Sequence, residues 1–99
     1  MVDWHRVVGF DWDAGNRGKN TKHGVSPREA EEVFFVEPLH VTPDETHSVS
    51  ERRYRALGKT LEGRFLTLIF TLRAEGALIR IISARDMHRK ERALYDQAS

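Results

Sequence analysis

Apolar and polar positions change their spacing along this chain, and each change marks an element. Val7, Val8, Phe10 and Trp12 form a short β-prone run closed by Asp13 and Gly15, which predicts a first strand leading into a turn or helix. Residues 13–23 are rich in Gly and Asn, poor helix formers, yet Asp13 is placed to cap a helix and Gly24 to stop it after His23. Ser26, Pro27 and Glu29 then supply a capping hydroxyl, a first-turn proline and a capping-box carboxylate, so a second helix starts at Ser26. Its buried stripe is Ala30, Val33 and Phe34, and Pro38 prevents continuation. The polar residues 40–50 read as a loop.

From Arg52 the period becomes that of strands. Tyr54, Ala56 and Gly58 alternate with Arg53, Arg55 and Leu57, and Glu62 and Gly63 follow as turn residues. Residues 65–73 place Leu66, Leu68, Phe70 and Leu72 on one face and Thr67 and Thr71 on the other, the pattern of a sheet covered mainly on one side. Ala74, Glu75 and Gly76 turn the chain back into residues 77–83, completing an antiparallel hairpin in which Gly58 and Gly63 read as hairpin glycines of the preceding turn. A last helix is predicted over 86–97, with Glu91, Leu94 and Tyr95 on one side and a basic stripe of Arg85, His88, Arg89 and Arg92 on the other. The order strand, two helices, three or more antiparallel strands, helix predicts an α+β sandwich with its helices on one face of a small antiparallel sheet.

A chain of 99 residues fits one domain, spanning 1–99, with a single modest core. The absence of cysteine excludes a disulfide scaffold, a thiolate zinc site and a Cys nucleophile. No apolar run approaches the ~20 residues of a membrane span, and Asp3, His5 and Arg6 stand where a signal peptide needs an apolar core. The expectation is a soluble, unprocessed, cytoplasmic protein without membrane contact. The net charge of +1 hides an asymmetry: within 28–45 only Arg28 opposes Glu29, Glu31, Glu32, Glu37, Asp44 and Glu45, whereas 52–92 holds eleven Lys/Arg against Glu62, Glu75, Asp86 and Glu91. Either the two halves pair with each other, or one face meets an anion, of which nucleic acid is the commonest.

The chemistry available is narrow. No glycine-rich phosphate loop or serine nucleophile turn is present. His5, His23, His40, His47 and His88 form no i, i+4 pair, so neither a metal nor another cofactor is expected. What remains suits acid–base work on RNA, which carries its own nucleophile in the 2′-OH and needs a base, an acid and cations on the phosphate. Glu51 stands beside Arg52 and Arg53 at a strand start. Arg80 lies in an apolar strand, where an unpaired cation is expensive, so it faces an anionic ligand or a carboxylate such as Glu51 or Glu91. His23 reads either as acid or base or as a helix-terminal histidine on the dipole. The stripe of Arg85, His88, Arg89 and Arg92, with Arg53, suits an RNA backbone or a solvated face, and Tyr95 and Glu91 read as core anchors.

Trp12-Asp13, Asn20, the run from Lys22 through His23 and Gly24 to Ser26, Glu29-Ala30, Phe34-Phe35, Glu51-Arg52-Arg53-Tyr54, Gly58, the run from Ile81 to Arg85, and Glu91-Arg92 through Tyr95 together resemble the BrnT family of toxins. The resemblance implies a RelE-like fold, a metal-independent ribonuclease that arrests translation and growth, and a BrnA-type antitoxin that neutralises it and carries the complex to operator DNA. It points to His23, Glu51, Arg52, Arg80 and Arg85 as functional, with Arg92 and Tyr95 behind them. Where many relatives have a lysine after the Trp-Asp pair this chain has Asn16 and Arg17, so Arg17 stands in as the phosphate cation. The rival expectations are a non-catalytic nucleic-acid or protein-binding module, and a degenerate toxin acting only with its antitoxin in operon regulation.

Overall fold

A computed structural model describes residues 2–45 and 50–99. Its helices are α1 (Ala14–Lys22), α2 (Pro27–Glu32) and α3 (Arg89–Ala98), and its strands are β1 (Gly9–Phe10), β2 (His40–Pro43), β3 (Arg53–Lys59), β4 (Phe65–Arg73) and β5 (Leu78–Asp86). The strands form one sheet in the order β1-β5-β4-β3-β2. The β2, β3, β4 and β5 neighbours are antiparallel, but β1 pairs parallel with β5, so the sheet is mixed rather than the antiparallel one expected.

Alternation gives this sheet two unlike faces. Leu66, Leu68 and Phe70 of β4, Ile79, Ile81 and Ala84 of β5, and Tyr54 and Ala56 of β3 form the core with Val25, Ala30 and Val33. The α2 stripe reaches this core by continuing through a 3-10 turn at Val33–Phe35, because α2 itself ends at Glu32. Gly58 is not a hairpin glycine. It lies within β3 under this turn, where an added Cβ would come 2.7 Å from Cγ1 of Val33. Gly63 does serve the turn, at φ +87.

Helices cover both faces, not one. α3 crosses the opposite face, where the buried Thr67 hydroxyl donates to Oε1 of Glu91 at 2.8 Å. Tyr95 packs edge-on to Phe65 and donates to the carbonyl of Pro38 at 2.6 Å. Glu91 and Tyr95 are therefore anchors, as their side of the helix suggested.

Three boundaries differ from expectation for local reasons. The first strand shrinks to Gly9–Phe10, because beyond Phe10 the edge of β5 passes to α1: Asn16, one turn into that helix, donates its amide to the carbonyls of Asp11 at 2.9 Å and Ile81 at 3.1 Å. Residues 40–43 are not loop but the edge strand β2, in register from His40 with Leu57 to Pro43 with Tyr54; proline is tolerated because the outer edge needs no donor. The remainder of the expected loop at 46–49, including His47, lies outside the described residues. Finally, β5 keeps its ladder as far as Asp86, opposite Leu66, so α3 begins at Arg89 and not near Asp86. Arg85 is thus a strand residue and His88 the helix cap, and the basic stripe is not a single helical face.

Candidate functional site

The face opposite the core carries the arginines. Register places Arg53 beside Thr71 and Arg55 beside Ile69, with Thr42 on the far side of Arg55. On β5 the pairing skips Ile82, so that Arg80 faces Thr71 while Ser83 faces Ile69. This bulge shifts the alternation, and residues three apart, Arg80 and Ser83, come to the same face. The arginines of three adjacent strands thereby share one surface, partly roofed by α3.

Most of these cations are held by carboxylates. Arg80 grips Asp13 with both terminal nitrogens, at 3.0 and 3.1 Å, and reaches Asp11 at 3.5 Å. The Arg80 hydrogen bond, helped by the backbone N–H of Asn16, pulls the Asp13 carboxyl below its usual range, and Asp13 in turn raises Arg80. The anion facing Arg80 is thus a carboxylate, but not Glu51 or Glu91. Glu51 instead lies 3.1 Å from Arg73 and 3.7 Å from Arg53. Arg85 forms a two-pronged pair with Glu91 at 2.7 and 2.8 Å. Arg55 is different: it is half-buried and, among the described residues, takes part in no ion pair.

A second cluster closes the other end of the sheet. Arg64 binds Asp86 at 2.8 and 3.1 Å, Glu29 at 3.1 Å and the carbonyl of Gly24 at 2.9 Å. The last bond fixes the left-handed turn at Gly24, φ +72, that follows His23, the exposed cap of α1. Arg92 lies 3.5 Å over the Phe65 ring and pairs with Asp96, while His88 approaches Glu91 at 3.4 Å. Arg89 is exposed at the start of α3, and Arg17 sits 5.9 Å from the centre of the Trp12 ring.

The structure therefore divides the residues singled out in the sequence. Glu51, Arg53 and Arg80 gather at one end of β4, and His23, Arg85, His88 and Arg92 at the other. Arg80 and Arg85 face Thr71 and Thr67, four positions apart on β4, or about 13 Å at about 3.3 Å per residue. Arg52 precedes β3 with an exposed side chain, and its carbonyl accepts from the Thr71 hydroxyl at 2.7 Å. Arg55 and Arg73 were not singled out, although strand alternation from Arg53 already placed Arg55 on the same face. The acidic segment and the basic half meet at Arg64 and Glu29, while Arg73, Arg80 and Arg85 take carboxylates outside that segment. Among the described residues no group of three His, Asp or Glu side chains is arranged to hold a metal, and no helix is long and apolar enough to cross a membrane.

A small α+β chain with an arginine-lined sheet face offers a surface suited to an anionic ligand. The family comparison names the class: residues 12–91 match the model of the BrnT ribonuclease toxins of type II toxin–antitoxin systems, and the chain belongs to that family. No curated protein matches the chain. The family makes the chain a ribonuclease toxin with an antitoxin as its protein partner.

Proposed function

We propose that this chain, as a single RelE-like domain, cuts RNA in the cytoplasm without a metal, using the 2′-OH as nucleophile, and that a BrnA-type antitoxin silences it and links it to operator DNA. The observation that carries this reading is Arg55, a half-buried cation with no ion pair among the described residues, set at the middle of the arginine face. Holding such a charge is costly unless an anion completes it, and a phosphodiester laid across Arg53, Arg55 and Arg80 supplies that anion. Glu51, at the edge of the same face and bound to Arg73, is the base that accepts the 2′-OH proton as the oxygen attacks phosphorus. The arginines stabilise the charge on the phosphorane, and the 5′-oxygen leaves with a proton from solvent, giving a 2′,3′-cyclic phosphate. His23 lies at the far end of β4, with Arg85, and there the two serve backbone binding rather than the scissile bond.

The experiment is incubation of the chain with labelled RNA and the matching DNA in EDTA. Cleavage of RNA alone, leaving cyclic phosphate ends, is the expected result. Equal binding of RNA and DNA with no cutting, on free RNA and on translating ribosomes alike, would replace the ribonuclease mechanism by a binding module.

A further inference from the structure

On the core side of the sheet a groove of about 960 Å³ opens between the N-terminal turn, β1 and the end of α2. Its walls include Trp4, Val8, Phe10, Phe34 and Phe35. Val8 is 80% exposed, Phe35 76% and Trp4 43%, and the rings of Phe10, Phe34, Phe35 and Trp4 meet tilted or edge-on, with centroids 5.7 to 6.3 Å apart. Large apolar side chains left together in water mark a surface that another molecule covers. The groove also carries Glu31 and Glu37, within the acidic stretch 28–45.

From this we infer that the antitoxin docks here, inserting an apolar segment flanked by Lys or Arg, on the side of the sheet away from the arginine face. The inference rests on the family membership for the existence of a protein partner, and not on the cleavage mechanism proposed above. The walls call for apolar side chains, and the glutamates call for basic neighbours. RNA does not suit the groove, since Glu31 and Glu37 repel phosphate. A second copy of this chain suits it less well, because a two-fold contact would bring two copies of the same acidic patch together. The docking site and the arginine face lie on opposite sides of the sheet, since Phe10 and Phe34 pack on the core whereas Arg55 points away from it.

The test is calorimetric titration of the folded toxin with its cognate antitoxin, using the double variant Val8→Lys/Phe35→Lys. Both side chains are exposed, so thermal unfolding of the variant stays close to that of the wild type. The expected result is a loss of affinity of roughly thirtyfold or more, the effect of removing a hot spot. Glu37→Lys weakens binding by a smaller factor, and Arg55→Ala leaves it unchanged. Unaltered binding by the double variant, or loss on Arg55→Ala alone, overturns the inference. So does a wild-type dimer in sedimentation that the double variant dissolves, which would make the occupant a second copy. RNA cleavage is scored separately: a chain that binds antitoxin through the groove but cuts nothing leaves this inference standing and removes the ribonuclease mechanism.

Discussion

Arg85 and Glu91 face each other as two parallel hydrogen bonds, 2.7 and 2.8 Å long, and they tie the end of β5 to the first turn of α3. The carboxylate is almost fully buried while the guanidinium stays partly in water. Burial opposes ionisation of Glu91, but Arg85, the backbone N–H of His88 and the Thr67 hydroxyl outweigh it and hold the group at about 2, against an ordinary 4.5. A carboxyl depressed on folding lends stability that is complete above the unfolded value and lost as pH falls through the folded one. Wild-type stability in urea therefore declines from about pH 4.5 toward pH 2 through this group. Glu91→Gln, weaker by about 3 kcal/mol at pH 7, closes on the wild type across that window.

Arg55 gives the most direct reading of the arginine face. Arg55→Ala keeps the fold, because no ion pair is broken among the described residues. RNA affinity falls, and the slope of log affinity against log salt decreases by about one, as for the loss of one phosphate contact. Filter binding across a salt series measures both.

The separation of Glu51 from His23 along β4 allows the two candidate bases to be told apart. Glu51→Gln lowers RNA cleavage by about a hundredfold or more, while His23→Ala changes it by less than about tenfold through weaker binding alone. Single-turnover rates at saturating RNA separate chemistry from affinity, and the reverse order of effects would transfer the role of base to His23.

Gly58 and Val33 form a fitted pair in the core. Gly58→Ala drives a methyl into Val33, which is fully buried, and costs about 1–3 kcal/mol. Val33→Ala opens a cavity of its own, yet the double variant is more stable than the sum of the two losses requires, because the clash is gone. A double-mutant cycle by chemical denaturation returns a coupling energy of about 1 kcal/mol or more.

Much of the architecture was legible where the cause is local. Ser26 and Glu29 exchange the hydrogen bonds that the capping box predicts, and the alternation of Leu66, Leu68 and Phe70 with Thr67 and Thr71 sets the two faces of β4. Features with distant causes were not legible. The parallel pairing of Gly9 and Phe10 with β5 joins residues far apart in the chain, and β2 contains a proline and polar residues that its edge position excuses. The helical spacing of Arg85, His88 and Arg92 suggests one face, and nothing local shows that the ladder with β4 holds Arg85 in a strand. The site divides in the same way. Arg53 and Arg55 share a face by simple alternation, whereas Arg80 joins them through a bulge at Ile82 and takes its counter-charges from Asp11 and Asp13, supplied by the β1–α1 corner.

The amide of Asn16 bears on how this protein behaves in a crowded cell. It occupies a carbonyl of β5 that another strand would otherwise find, so a helix closes the side of the sheet that β1 is too short to guard. An open strand edge is a template for pairing between chains. As long as α1 stays seated, the apolar hairpin of β4 and β5 cannot recruit further strands on that side. Loosening the helix at Asn16 would bare that edge of β5 to pairing with another chain.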